Sequence, residues 1–200
     1  MEQKLKSEFT KQLILDESFK LFYQNGFKTT SVDKIMNATN LTKGAFYYHY
    51  KSKRDLGLEI ISTKLQQRVY DGMITPLYEE GNALDLLETT FSSRLKSFSL
   101  FDKRHGCPMN NFINEIADQE EVYQIALKRI IEEWKAALIH LLERGKKDNV
   151  INNSISSSAV AIYLISAFEG VRGLRKLYND DQILDEYIEG LTLYIRRLKA

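Results

Sequence analysis

The sequence predicts an all-α protein of about nine helices. Apolar residues recur at helical spacing through most of the chain, and no segment of any length alternates as a half-buried strand does. Only two prolines and ten glycines interrupt 200 residues, so long helices face few breaks. With 44% hydrophobic and 28% charged residues, the composition is that of a globular protein with a core rather than of a disordered chain.

The predicted helices follow one another from residue 7 to residue 199. The first helix, 7–25, carries a stripe of Ile14, Ser18, Leu21 and Phe22, and Gly26 ends it as a C′ glycine. Two short helices occupy 31–50, and a longer one runs from residue 52 to about residue 72, before Pro76. Further helices are predicted at about 82–101, from 108, at 120–144, 156–177 and 180–199, with loops at 102–106 and 145–154.

The first of the two short helices begins at Ser31, whose side chain is a good N-cap. Val32, Ile35 and Met36 are spaced i, i+3 and i+4, which places them on one apolar face. The face is interrupted near Asn40, and asparagine adopts the left-handed conformation more readily than other non-glycine residues. The segment therefore predicts a tight turn between two helices.

Thr42 is a second N-cap and opens a helix over 43–50. Phe46 and Tyr50 lie four residues apart, so they share the face that packs on the core. Tyr47, Tyr48 and His49 then point elsewhere. Core packing does not explain a two-turn helix that exposes two tyrosines, a histidine and a lysine. Such a helix fits the major groove of DNA, where lysines and helix N-termini meet phosphates and other side chains meet base edges.

The ordered motif across this region resembles the amino-terminal module of TetR/AcrR-type one-component repressors over most of 9–58. It consists of Gly26, Phe27, Thr30, Ser31, Val32 and Ile35, then Leu41, Thr42, Gly44, Phe46, Tyr47, His49, Tyr50, Ser52, Lys53 and Leu56. Asn40 stands where the family usually has glycine, and Met36 where it usually has alanine. The resemblance implies a three-helix helix-turn-helix DNA-binding domain at 1–52 and a larger helical domain for effector binding and dimerisation at 53–200.

The predicted DNA-binding residues combine this resemblance with the chemistry of the second short helix. Lys53 is expected on a phosphate, because a lysine in the first turn of its helix opposes the helix dipole and needs another explanation. Lys43, Tyr47 and His49 are expected to bind backbone or bases. Gly44 and Ala45 are expected to let the helix approach the groove closely. The full predicted set is Thr30, Ser31, Thr42, Lys43, Gly44, Ala45, Tyr47, Tyr48, His49 and Lys53.

The net charge of +1 conceals an asymmetry along the chain. Residues 1–54 hold ten basic against five acidic side chains, a net +5, whereas the remainder carries a net −4. A basic head on an acidic body is typical of a polyanion-binding module joined to a regulatory one. Chance is the alternative reading of charge alone.

The resemblance also implies a cavity for a small-molecule effector, usually apolar with a few convergent polar groups. Ordinary core packing is the alternative reading for each candidate, and Asn110, Asn111 and Glu115 are further polar candidates. The predicted ligand-binding residues are Phe91, Leu95, Phe98, Cys107, Met109, Phe112, Ile116, Trp134, Tyr163, Phe168, Glu169 and Arg172.

The segment from Gly106 to Asn111 resembles the Gly-Cys-x-x-x-Asn start of a helix in the electrophile- and acrylate-responsive subset of the family. Cys107 is expected at a helix N-terminus, where the dipole lowers the pKa of a thiol and favours the reactive thiolate. The alternative is a buried cysteine that fills space as a small apolar residue. As the single cysteine, it forms no internal disulfide.

The last two predicted helices carry small residues that permit close helix approach and a wide face of isoleucine, leucine and tyrosine. They predict a homodimer through a four-helix interface, with an internal core as the alternative. A dimer presents two heads to the halves of a pseudo-palindromic DNA operator.

The predicted function is therefore a ligand-responsive transcriptional repressor that binds double-stranded DNA as a dimer and is released by a small-molecule effector. The alternative is a helical ligand-binding or protein-interaction module without sequence-specific DNA binding. No glycine-rich phosphate loop, nucleophile–base motif or metal-ligand spacing occurs, so we expect neither an enzyme, nor a cofactor, nor a metal site. Without an apolar run of about 18 residues, the chain is expected to be cytoplasmic.

Overall fold

The computed structural model describes residues 2–200, which form helices and one isolated β-bridge between Ile151 and Lys199. No helix in this range is long and apolar enough to cross a membrane. The helices are α1 Glu2–Asn25, α2 Val32–Thr39, α3 Lys43–His49, α4 Lys53–Ile60, α5 Gln66–Val69, α6 Ala83–Ser97, α7 Leu100–His105, α8 Pro108–Ile116, α9 Glu121–Lys147, α10 Ser157–Tyr178 and α11 Gln182–Arg196.

All nine predicted helices are present, and the all-α prediction is confirmed. The loop predicted at 102–106 was wrong, because α7 occupies most of it. The Ser99 hydroxyl caps this helix by accepting the backbone N–H of Asp102 at 3.1 Å. Basic residues in its last turn complement the helix dipole. Local capping and these charges therefore stabilise as a helix a charged segment that was predicted to be a loop.

The fourth predicted helix does not continue unbroken to residue 72. After α4 the chain passes through a π-helical segment, Ile61–Leu65, then α5, then a second π-helical segment, Tyr70–Ile74. A 3-10 turn, Thr75–Tyr78, contains Pro76, as expected where the α-helical hydrogen-bond ladder cannot continue. Hydrophobic spacing alone does not distinguish π from α hydrogen bonding, so the prediction missed these segments.

The chain divides into two compact units. The first runs to Gln66 and includes Pro108–Leu127, and the second comprises Gln67–Cys107 and Lys128–Ala200. In the first unit, the ring of Phe27 lies 4.8 Å from that of Phe22 and 6.0 Å from that of Phe112 on α8. Packing thus groups α8 with the amino-terminal helices, whereas the division into functional domains at residue 52 remains a prediction.

The core of the second unit is built on aromatic rings from three helices. Phe91 on α6, Trp134 on α9 and Phe168 on α10 are almost fully buried. The Phe168 ring meets those of Phe91 and Trp134 edge-on, at centroid distances of 5.5 and 5.7 Å. Such edge-to-face contacts stabilise a core beyond the area that they bury.

Candidate nucleic-acid interface

The turn between α2 and α3 has the predicted conformation. Asn40 is left-handed, with φ 54° and ψ 33°, which confirms that asparagine replaces the usual glycine without breaking the motif. The hydroxyl of Ser31 accepts the N–H of Lys34 at 3.2 Å, and that of Thr42 accepts the N–H of Ala45 at 3.3 Å. Both predicted N-caps are therefore formed, and they fix where each short helix begins.

Helix α3 separates its buried from its exposed aromatic residues as predicted. Phe46 is fully buried and Tyr50 is 3% exposed, whereas Tyr47 is 56% and Tyr48 is 76% exposed. His49 is half-buried, and its ring stands edge-on to that of Tyr48 at 4.8 Å. We call the exposed residues Thr42, Lys43, Gly44, Tyr47 and Tyr48 the α3 surface, and Ser31 at the start of α2 is also exposed, whereas Ala45 and His49 are half-buried.

One charged pair orders the start of the α3 surface. The ammonium of Lys43 lies 2.8 Å from a carboxylate oxygen of Asp33 on α2, and both side chains are 61% exposed. The hydrogen bond to Asp33 raises the pKa of Lys43. An exposed pair of this kind adds little stability. Its effect is to hold Lys43 in place. Asp33 was not predicted from the sequence, because the motif pointed only to cations as contacts.

Thr30 and Lys53 lie away from the α3 surface. Thr30 is fully buried, and its hydroxyl donates to the Gly26 carbonyl at 2.8 Å. The Lys53 ammonium donates to the carbonyls of Phe27 and Thr30 at 2.9 and 3.1 Å, and burial lowers its pKa. Both side chains brace the turn between α1 and α2. The hydrogen bonds to these carbonyls explain why a lysine stands in the first turn of α4 without a phosphate contact. Direct DNA contact by Thr30 or Lys53 remains a prediction.

Other exposed lysines in the head were not among the predicted contacts. Lys28, Lys34 and Lys51 are exposed, and the ammonium of Lys34 donates to the Thr29 carbonyl at 3.0 Å. The sequence feature that could have indicated them is the excess of basic residues over 1–54. That excess includes these lysines but does not show which of them face DNA.

The predicted ligand-binding residues are divided between the two units. Met109, Phe112 and Ile116 belong to the first unit and are buried there. Tyr163 is half-exposed, with its ring 4.4 Å from that of Tyr194 on α11. The predicted residues buried in the second unit are Phe91, Leu95, Phe98, Cys107, Trp134, Phe168 and Arg172, with Glu169 half-buried.

Three of the predicted polar residues are brought together in the second unit. The carboxylate of Glu169 accepts a hydrogen bond from the thiol of Cys107, which is 5% exposed. The Arg172 guanidinium donates to the Gly106 carbonyl at 2.9 Å and lies 4.2 Å from the centre of the Phe98 ring. Burial raises the pKa of Glu169, and Arg172 and the thiol oppose that rise. The buried charge of Arg172 thus lies next to a buried carboxyl.

Two family models match the chain. Residues 14–60 match the model of bacterial regulatory proteins of the tetR family. Residues 83–191 match the tetracyclin repressor-like C-terminal domain. The second match spans more than half of the 200 residues.

The relatives are regulators, and the similar structures share the fold. The transcriptional repressor DhaR of Mycobacterium sp. strain GP1 is 22% identical over 185 residues, which cover 89% of this chain and 88% of DhaR. A TetR-family regulator from Cytophaga hutchinsonii superimposes with a TM-score of 0.86 at 21% identity, covering 98% of this chain and 97% of that one. The reduced form of Escherichia coli NemR gives 0.77 at 21% identity, covering 96% and 97%. The chain belongs to the tetR family of bacterial regulatory proteins, and it is a helix-turn-helix transcriptional regulator rather than an enzyme.

Proposed function

We propose that the protein is a cytoplasmic, ligand-responsive repressor that binds a pseudo-palindromic DNA operator as a homodimer and is released by a small-molecule effector. The α3 surface carries this proposal, because Tyr47 and Tyr48 are large aromatic residues that remain exposed, and core packing does not explain their exposure. They stand on a two-turn helix whose first turn presents Lys43. Lysine and the helix N-terminus bind phosphates, and the tyrosines reach bases or backbone in the major groove.

Dimerisation through α10 and α11 is supported by the apolar residues that these helices expose. Leu174 and Leu177 on α10 and Leu193 on α11 are 47%, 78% and 62% exposed. Apart from the adjacent residues and the local backbone of α10, no atom of the described residues lies within 4 Å of where a Cβ on Gly170 or Gly173 would stand. Leucines beside an open glycine surface favour close approach of a second helix pair, as in a two-fold four-helix interface.

Effector binding is proposed in the second unit, where three buried polar atoms lack a hydrogen-bond partner within residues 2–200. They are the hydroxyl oxygen of Tyr187 and, on two residues predicted to bind ligand, Nε1 of Trp134 and Oε2 of Glu169. Unsatisfied buried polar atoms are rare in folded proteins, and a bound molecule would satisfy them. An effector that binds one dimer geometry more tightly than the other then shifts the spacing of the two heads.

A more specific proposal concerns the class of effector. Cys107 is hydrogen-bonded to Glu169 and immediately precedes α8, so its thiol combines a polar partner with a helix N-terminus. The helix N-terminus favours the thiolate, and the carboxylate can accept the proton that sulfur loses. We therefore propose that this regulator belongs with the electrophile-responsive subset and that Cys107 reacts with the effector.

Binding to a DNA fragment from the promoter of its own gene tests the proposal. Anisotropy titrations between 50 and 200 mM salt are expected to show a loss of affinity of about a thousandfold, as for proteins that contact several phosphates. Adding an electrophile is expected to release wild-type protein but not Cys107→Ser. Absence of binding at every salt concentration would favour the alternative module without DNA recognition. Release of Cys107→Ser as readily as wild type would remove the electrophile proposal alone.

A further inference from the structure

One turn of α10 is hydrogen-bonded to both residues that precede α8, Gly106 and Cys107. Glu169 accepts the hydrogen bond of the Cys107 thiol, and Arg172, three residues later, donates to the Gly106 carbonyl at 2.9 Å. Gly106 has φ +78°, and a Cβ there would stand 3.7 Å from the Arg172 carbonyl, so the two segments approach closely. The sulfur therefore has a defined partner rather than a loose position in the core.

The carboxyl of Glu169 has one oxygen that the fold does not use. Its Oε2 is buried and lacks a partner within the described part of the chain. Tyr187 on α11 carries a second such atom, its hydroxyl oxygen, and interacts electrostatically with Glu169. Leaving buried polar atoms unpaired destabilises the folded state. A carboxyl kept in this state beside a thiol is better explained by chemistry than by packing.

Proton transfer between the two groups would conserve the local charge. A thiol beside a carboxylate becomes a thiolate beside a carboxylic acid, so the buried region gains no new charge. Arg172 lies beside the pair before and after the transfer. Burial raises the pKa of Glu169, which brings its basicity closer to what is needed to accept a thiol proton near neutral pH.

We propose that Glu169 is the general base of Cys107, and that the pair adds the sulfur to small, uncharged α,β-unsaturated aldehydes and ketones. This inference rests on the proposed function, because it specifies the chemistry of the same effector site. The reagent must be small, since Cys107 is only 5% exposed, and uncharged, since a charged group would lose its hydration on entering this buried region. A charged or bulky electrophile would meet a desolvation or steric barrier there.

The addition balances without an external oxidant or reductant. Glu169 takes the proton from sulfur, and the S–H electron pair stays on the thiolate. The thiolate forms a bond to the β-carbon of the reagent, and the carbon–carbon π electrons move towards the carbonyl to give an enolate. The enolate α-carbon then takes the proton from the carboxylic acid. The product is a thioether, and the Glu169 carboxylate is restored.

The rate of Cys107 modification by acrolein, followed by intact-protein mass spectrometry, tests this inference. Glu169→Gln is expected to slow modification at pH 7 by about a hundredfold, the size of an ordinary general-base contribution, whereas Glu169→Asp retains most of the rate. Glu186→Gln is the matched control, because Glu186 is an exposed glutamate of α11 and should react as wild type does. Between pH 7 and 9 the Glu169→Gln rate should rise about tenfold per unit, as hydroxide replaces the missing base, whereas the wild-type rate rises less.

The outcomes separate this inference from the proposed function. Equal rates for wild type and Glu169→Gln, with parallel pH profiles, would overturn the role of Glu169 and leave electrophile sensing in place. Rapid, Glu169-dependent modification without DNA release would remove the effector role of Cys107 and keep the base. A wild-type thiol that acrolein does not modify would overturn the inference. Urea unfolding of each variant, with Glu169→Asp as the rescue, distinguishes a lost base from a lost fold.

Discussion

The backbone N–H of Lys28 donates to the side-chain carboxylate of Glu115, 87 residues later, at 3.1 Å. The turn that carries Lys28 begins at Gly26, whose φ of +89° lies in the left-handed region. A Cβ at Gly26 would stand 2.5 Å from an oxygen of the same carboxylate. The end of α1 is thus shaped around a side chain from α8 within the first unit. Glycine is required there for its backbone conformation and for its lack of a side chain.

Gly26→Ala is expected to destabilise the protein by about 1–3 kcal/mol, because alanine is strained at this φ and displaces Glu115. Urea unfolding measures the change. Gly44→Ala is the matched control, since the nearest atom to its Cβ, the Thr42 hydroxyl oxygen, would lie at 3.6 Å. Equal stability of the two variants would contradict the role assigned to Gly26.

Phe46→Ala and Tyr47→Ala, adjacent substitutions on α3, are expected to differ sharply. Phe46 is fully buried, so its truncation should cost about 3–5 kcal/mol of unfolding free energy. Tyr47 is 56% exposed, and its loss should change stability by no more than about 0.5 kcal/mol. Chemical denaturation of both variants tests the orientation of α3. Similar losses would show that the helix is rotated from the described position.

Lys53→Met and Lys51→Met separate structural from electrostatic lysines. Lys53 donates to two carbonyls, so its replacement should lower stability by about 1–3 kcal/mol through the loss of both hydrogen bonds. Lys51 is exposed, and its replacement should leave stability unchanged. If Lys51 binds a phosphate, its loss lowers the salt slope of DNA binding by about one per protomer. A lower salt slope for Lys53→Met, at full stability, would instead support the direct phosphate contact predicted from the sequence.

Asp181→Asn is expected to weaken the second unit in a pH-dependent manner. Asp181 accepts hydrogen bonds from Lys103 at 2.7 Å and from the buried Arg175 at 2.5 Å, and these bonds lower its pKa from the ordinary value of an aspartate. Because the folded-state pKa is depressed, its stabilising effect is fully present well above the ordinary pKa of an aspartate and is lost as the pH falls through the folded-state value.

Thermal unfolding from pH 7 to pH 2 measures this effect. The difference in stability between wild type and Asp181→Asn should be largest near neutrality and vanish at the acidic end. Asp185→Asn, an exposed substitution in the first turn of α11, should show a smaller difference throughout. A difference that is independent of pH would contradict the role of the Asp181 charge.

Local rules predicted the DNA-binding head well because they act over a few residues. Ser31 and Thr42 cap their helices, Asn40 adopts the left-handed conformation, and Phe46 is buried while Tyr48 is exposed. Each outcome depends on neighbours within about four positions. The helical order of the remaining chain followed from the same periodicity.

Contacts between distant residues were not accessible in the same way. Lys53 binds carbonyls 23 and 26 residues away, and sequence spacing does not reveal that the fold brings these carbonyls within reach of its ammonium. The grouping of Phe112 with Phe27 depends on packing across 85 positions. The bond between Cys107 and Glu169 likewise joins two helical regions whose proximity only the fold establishes.

The most direct test of the central claim is a selection of genomic DNA fragments by wild-type protein and by Tyr48→Ala, with Tyr78→Ala as the control. Tyr78 is 55% exposed but lies outside the head. We expect wild type and Tyr78→Ala to enrich the same pseudo-palindromic sequence and Tyr48→Ala to enrich it weakly, while all three unfold alike. Enrichment of no sequence by wild type, or undiminished enrichment by Tyr48→Ala, would contradict the assignment of the α3 surface to DNA.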